Sequence, residues 1–373
     1  MRLQNEKLVK IFSFQITMGN SDFSKTQTMN DIININLYSD TQTRPSAGML
    51  RAMGEAEVGD EQHRQDPSVN HLCRKTADLL GKEAALFLPS GTMCNQIAIL
   101  VHCSPGDEII ADKTAHIFTS ESGGPAALAG AMAFPLEGEN GIFNADQVHE
   151  SIRGSSLHEP RSRLVVVEQT SNRGGGSIWP LERLQEIHDA SKEHGLMVHM
   201  DGARLMNASV ATGVPASDYA ETVDSLWIDL TKGLGCPVGA VLAGTQEFID
   251  AAWRWKHRLG GAMRQAGVIA AAGIWALDHH IQRLAEDHEN ARIMEQRISA
   301  INGMKVDPSP QSNLVFFDVS GTGWDARDIS KELRKQEIWI GVIDQNNMRA
   351  VTHLDVSQSQ IHQAMDALNT LVN

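Results

Sequence analysis

Apolar residues fall along this chain in two rhythms. From residue 34 onward, short, largely apolar runs alternate with longer stretches in which apolar positions return every three or four residues. The short runs at 84–88, 108–111, 163–168, 196–200, 225–230 and 237–243 have the length of buried strands and predict strands. The stretch at 92–101 predicts a helix. So does 181–194, where Leu181, Leu184, Ile187 and Ala190 share one face and Pro180 stands near the start. Repeated strand–helix–strand units imply a mostly parallel sheet covered on both faces, an α/β architecture. In such sheets ligands bind beyond the carboxyl ends of the strands, and Thr170, Asp201 and Lys232 all fall at such ends.

Beyond residue 275 the texture changes. Residues 280–298 predict one long charged helix, 314–318, 339–343 and 350–354 predict short strands, and 357–372 predicts a closing helix. The expected division is a large domain over 31–275 and a smaller C-terminal α+β domain over 276–373. Residues 1–30 are polar apart from a short apolar patch at 11–16, preceded by Arg2, Lys7 and Lys10. Ser13 and Gln15 interrupt that patch and no small-residue cleavage site follows, so a signal peptide is not the reading. The segment is expected to be a disordered extension, or to precede a true start at Met18 or Met29.

Composition narrows the function classes. The chain has 373 residues, enough for a large core, with 42% hydrophobic and 21% charged residues as in ordinary globular proteins. Its 32 basic and 46 acidic residues give a net charge of −14, which argues against a nucleic-acid surface. No apolar run is long enough to cross a bilayer. Cys73, Cys94, Cys103 and Cys236 form no CxxC pair, and no histidine cluster has zinc spacing. A reducing, cytoplasmic location is expected, with no metal and with a small molecule as ligand.

The chemistry begins at Lys232, which ends the run Leu226-Trp-Ile-Asp-Leu-Thr-Lys and opens a glycine-rich turn. Asp201 ends an earlier run in His199-Met-Asp-Gly-Ala-Arg204. An aspartate and a lysine at successive strand ends suit pyridoxal phosphate (PLP): the carboxylate keeps the pyridine nitrogen protonated and the amine forms an imine with the aldehyde. Taken alone, Thr-Lys-Gly is an ordinary surface lysine after a strand. Ser90, Gly91 and Thr92 lie between a strand and a helix, where backbone N–H groups, hydroxyls and the helix N-terminus can hold a phosphate. By itself this is also a plain helix cap. His116 can stack on a cofactor ring, or act as base or orienter. Arg204 and Arg349 can clamp a substrate carboxylate between them.

Together these pieces resemble the low-specificity L-threonine aldolase family, within the PLP-dependent aspartate-aminotransferase fold (fold type I). The resemblance rests on Leu37-Tyr-Ser-Asp-Thr-Gln-Thr-Arg-Pro45, Val58-Gly-Asp60 with Asp66-Pro67, and Gly81-Lys-Glu-Ala-Ala-Leu-Phe-Leu-Pro-Ser-Gly-Thr92. Further along it rests on Ser122-Gly-Gly-Pro125, His199-Met-Asp-Gly-Ala-Arg-Leu205 and Lys232-Gly-Leu-Gly-Cys-Pro-Val-Gly239. Gly260-Gly-Ala-Met-Arg-Gln265 and Val351-Thr-His-Leu-Asp355 complete it, in the family's order and over nearly everything from Asn36 onward. It implies that Lys232 is the imine lysine, Asp201 the pyridinium partner, and Gly91 and Thr92 phosphate ligands. His116 would stack on the ring, and Ser39, Arg204 and Arg349 would hold the substrate carboxylate. Arg264 is similar to an arginine that reaches the cofactor phosphate of a neighbouring subunit, which implies a homodimer or homotetramer with shared sites.

The chain departs from the family at two places that touch the chemistry. Where the family has Glu-Asn-Thr-His, this chain has Glu168-Gln-Thr-Ser171, so the second active-site histidine is a serine. Where many members carry a tyrosine after Gly-Asp-Asp, it has His63. The resemblance implies cleavage of a β-hydroxy-α-amino acid to glycine and an aldehyde, with His63, His116 or a bound water taking the β-hydroxyl proton. The same residues also permit β-elimination, racemisation or transamination, or a silent relative that only binds.

Overall fold

The valine-rich run at 163–168 has no polar side because both of its faces are covered. Val165 and Val167 pack into one apolar cluster, while Leu164 and Val166 pack into another on the opposite face of the sheet. The computed structural model describes residues 33–373 apart from residue 155, so the extension expected over 1–30 lies outside the described residues. In chain order the strands are β1 (Ile35–Leu37), β2 (Ala84–Leu88), β3 (Asp107–Asp112), β4 (Met132–Leu136), β5 (Arg161–Glu168) and β6 (Met197–Gly202). They continue with β7 (Ser225–Asp229), β8 (Ala240–Gly244), β9 (Lys305–Val306), β10 (Leu314–Asp318), β11 (Ile338–Val342) and β12 (Asn347–Val351).

Seven of them form one sheet in the order β2-β8-β7-β6-β5-β3-β4. Only β8 runs antiparallel to its neighbours; the other pairs are parallel. Helices Pro67–Leu80, Leu181–Glu193 and Gly267–His279 bury their apolar stripes on one face. Helices Gly91–His102 and Gln246–Arg258 bury theirs on the other. The expected α/β layering and the expected mostly parallel sheet are what the chain adopts.

A smaller sheet has the order β1-β11-β12-β10-β9 and packs on helices Leu284–Ser299, Ala326–Arg334 and Gln358–Val372. Its edge strand β1 precedes the large sheet in sequence, within the expected 31–275 span, yet pairs in parallel with β11. That pairing carries Ser39 and Asp40 back to the strand ends of the large sheet. Two expected elements shift. In place of one helix over 280–298, helix Gly267–His279 ends and a turn leads into Leu284–Ser299. At that turn the buried His280 ring Nδ1 donates to the Leu234 carbonyl at 2.8 Å. The strand expected at 350–354 is β12, which ends at Val351 because its pairing partner β10 begins at Leu314. Arg349 therefore sits within a strand. Among the described residues no helix is long and apolar enough to cross a membrane.

Asp66-Pro67 has a structural explanation. Asp66 is fully buried and caps helix Pro67–Leu80: Oδ1 accepts the Val69 N–H at 3.0 Å, while Oδ2 accepts those of Gly59 at 3.1 Å and Gly267 at 2.9 Å. Pro67 supplies a first-turn residue that lacks an N–H to satisfy. One carboxylate thus ties a loop and two helices together. Asp66→Ala strands these donors and should cost on the order of 3 kcal/mol, read as a fall in the urea midpoint. A midpoint equal to that of the unaltered protein would contradict this role.

Candidate active site

Neighbouring strands β5, β6 and β7 each deliver an acid to the same end of the sheet. Glu168 closes β5 and pairs in register with Asp201 of β6, and Asp229 closes β7. Beyond these ends lies a cavity of about 310 Å³. It brings together eight residues expected from sequence: Ser39, Gly91, Thr92, His116, Asp201, Arg204, Lys232 and Arg349. Residues not assigned from sequence also line it, among them Glu168, Asn172, Trp227 and Asp229.

Lys232 lies three residues past β7, and its Nζ donates to Asp229 Oδ2 at 2.7 Å. The face of Trp227 lies 5.6 Å from the same nitrogen. Trp227 explains Gly91 as well, since a Cβ at residue 91 would overlap the indole ring. Ser90 is exposed and its hydroxyl accepts the Met93 N–H at 3.2 Å, so its side chain caps helix Gly91–His102, while Gly91 and Thr92 face the cavity.

Asp201 belongs to a buried polar network whose proton positions can be worked out from one end. The Trp227 indole can only donate, so Asn95 Oδ1, 2.7 Å away, must accept. The Asn95 amide then donates to Asp201 at 2.9 Å and to Glu121 at 2.7 Å. Glu121 in turn accepts from His116 Nδ1 at 2.8 Å, which places the His116 proton on Nδ1. Behind Asn95, the rings of His199 and His102 continue the chain through Ser225. Burial pushes them down to about 3 and about 4, so both stay neutral. The hydrogen bond to Glu121 raises His116. Burial raises Asp201, whose carboxylate accepts, among the described residues, only the Asn95 amide and the Ala203 N–H.

The two arginines differ. Arg204 is buried and turns its Nε and Nη2 edge onto Asp40 at 2.8 and 2.7 Å, and Asn313 also donates to that carboxylate at 3.0 Å. Burial alone would raise the Asp40 carboxyl, but the guanidinium beside it holds it well below the usual range. The expected carboxylate fork of Arg204 is therefore occupied within the protein. Among the described residues Arg349, from β12, meets no carboxylate: its Nη1 donates to Asn172 at 3.2 Å, and its Nε is buried without a partner. Burial, with Arg204 nearby, depresses its proton affinity.

Other expected residues stand outside this cavity. His63 and Arg264 have side chains 68% and 60% exposed and both pair with Asp60, at 3.1 and 2.9 Å. Thr170 is buried, with a hydroxyl unpartnered among the described residues. Ser171 is also buried, its side chain against Gly141 and Gly174, where a Cβ would collide with it.

A phosphorylated pyridine aldehyde fits these residues. Lys232 offers the amine and Asp201 a buried carboxylate with room for one more donor. Gly91 and Thr92 offer a small, hydroxyl-bearing rim at a helix N-terminus. A profile of the beta-eliminating lyase family matches residues 36–320. The chain belongs to the beta-eliminating lyase family. The low-specificity L-threonine aldolase of Escherichia coli is 40% identical over 330 residues, covering 88% of this chain and 96% of that one. The low-specificity L-threonine aldolase 1 of Arabidopsis thaliana is 36% identical, covering 88% and 93%. Among solved structures, the threonine aldolase of Leishmania major shares the fold with a TM-score of 0.79 at 22% identity, covering 91% of this chain and all (100%) of that one.

Within this lyase, Glu168 is the acid to test by pH. Burial raises its carboxyl from 4.5 to about 7, with the charge of Asp201 adding. A proton held more tightly in the folded state stabilises fully below about 4.5, and that stability is lost as pH rises through about 7. The unfolding midpoint of the cofactor-free protein should fall across this window, and Glu168→Gln should flatten the fall. An undiminished slope in the variant would contradict the assignment.

Proposed function

We propose that this chain is a PLP-dependent aldolase that cleaves β-hydroxy-α-amino acids, L-threonine, L-allo-threonine and aryl-serines such as phenylserine, to glycine and an aldehyde. The observation that carries this is the grouping in one cavity of Lys232, the buried Asp201 and an arginine, Arg349, that has no carboxylate partner among the described residues.

When bound, the cofactor supplies an electron sink for the carbon–carbon bond that breaks. The protein's own side chains do the rest. Lys232 would give the amine that attaches the cofactor, Asp201 would hold the ring nitrogen protonated, and Gly91 and Thr92 would take the phosphate. Arg349 binds the substrate carboxylate, helped by the Ser39 hydroxyl. Arg204, locked by Asp40, adds a fixed positive charge at that end of the cavity. These contacts would set the Cα–Cβ bond for cleavage. His116 lines the same cavity and would stack on the ring; with its proton held on Nδ1 by Glu121, its Nε2 lone pair is available to accept the β-hydroxyl proton. That role falls to His116 within this chain, since Ser171 replaces the second histidine and His63 lies outside the cavity. We further infer a cytoplasmic homo-oligomer, in which the outward-facing Arg264 and His63 meet a neighbouring copy's site.

The direct test supplies PLP-loaded protein with threonine, allo-threonine and phenylserine and measures glycine. Glycine release is expected, and a keto acid in its place would refute the reading. Arg349→Ala should lower kcat/KM by roughly a hundredfold, mostly through KM. His116→Ala should lower kcat about a hundred- to ten-thousand-fold. A His116→Ala enzyme of full turnover would assign the proton to bound water.

A further inference from the structure

Asp229 has no part in the chemistry derived above, yet it touches the reacting nitrogen. We propose that Asp229 is a catalytic residue of this site: a fixed counter-charge that receives Lys232 as an ammonium ion each time the substrate amine displaces it. This rests on the PLP reading of the cavity and adds a residue to it.

The geometry leaves Asp229 little freedom. Its Oδ1 accepts both the Thr231 N–H at 2.6 Å and the Thr231 hydroxyl at 2.7 Å, so the carboxylate cannot swing away. Its Oδ2 is thereby aimed at Lys232 Nζ, 2.7 Å away. The pair is enclosed, with side chains 6% and 18% exposed, so water screens it weakly. Trp227 closes another side: its ring lies 5.6 Å from Nζ, and its orientation is fixed by the bond to Asn95 and by its contact with Gly91. A carboxylate and an indole face both favour a positive nitrogen. Asp201 serves the ring nitrogen at the other end, so the site provides one acid for each nitrogen that carries charge.

Amine exchange needs this. The incoming substrate arrives as an ammonium ion and must give up a proton to attack; the departing lysine takes up a proton. Protons balance, and no oxidant or further reactant enters. An anion beside the departing nitrogen stabilises the state in which Lys232 holds that proton, and so keeps it from re-attacking before the product forms. The other charged groups facing the pair are Arg204, Asp201 and Asp40. The thiols of Cys94 and Cys236 also face Asp229, and burial pushes both well up, so they stay neutral.

The test uses the full-length protein and Asp229→Asn, which retains the acceptor for Thr231 and removes only the charge. In cofactor-free protein, acetylation of Lys232 by trace acetic anhydride is followed across pH by peptide mass. The variant's profile should move to lower pH by about one to three units, making Lys232 at least about tenfold more reactive near pH 8. With PLP bound, the pH midpoint of the cofactor absorbance change should move the same way. Thr231→Val, which removes the hydroxyl donor to Oδ1 and keeps the N–H, should give a smaller shift of the same sign. Unchanged profiles in Asp229→Asn that still binds PLP would overturn the assignment and leave the proposed function standing. Failure of the unaltered protein to bind PLP would overturn the function, and this assignment with it.

Discussion

Burying three carboxylates side by side is the constraint around which this site is organised. Parallel strands in register bring Glu168 and Asp201 level with each other, and Asp229 ends the next strand. Isolated charges in such a place cost several kcal/mol unless they are matched. Each is matched differently. Glu168 accepts the backbone N–H groups of His116 at 2.9 Å and Asn172 at 2.8 Å, and holds its proton to about 7. Asp229 takes Thr231 and Lys232. Asp201 receives only neutral amide donors, which leaves it the natural partner for a protonated ring nitrogen.

The substrate end is made by the smaller sheet. Strand β12 brings Arg349, and the turn after β1 brings Ser39 and Asp40. Asp40 fixes Arg204 of the large sheet and so leaves Arg349 as the cation without an acidic partner among the described residues. A fixed cation can orient and an unmatched one can bind, which supports the proposal that Arg349 takes the substrate carboxylate while Arg204 is held in place.

Much of this was legible in the sequence, for physical reasons. The runs at 84–88 and 164–167 read as strands because burial on both faces leaves them without a polar side chain. Lys232 and Asp201 stood out because each follows such a run. Asp229, Asn95 and Glu121 did not, because their meaning depends on partners brought together by folding. Asn95 meets Asp201 across 106 residues and Trp227 across 132. The one local signal was an aspartate three residues before the lysine, inside an apolar run that otherwise tolerates no charge. Strand β1 escaped notice because its three residues pair with a strand some three hundred residues later. Gly91 was read as a phosphate approach, whereas the indole of Trp227 also demands it.

All of this chemistry requires the Lys232 amine to be the point of attachment. The most direct measurement is borohydride reduction of the protein after incubation with PLP, followed by peptide mass mapping. The expected result is a single phosphopyridoxyl group on the peptide bearing Lys232. A label on another lysine, or none, would contradict it.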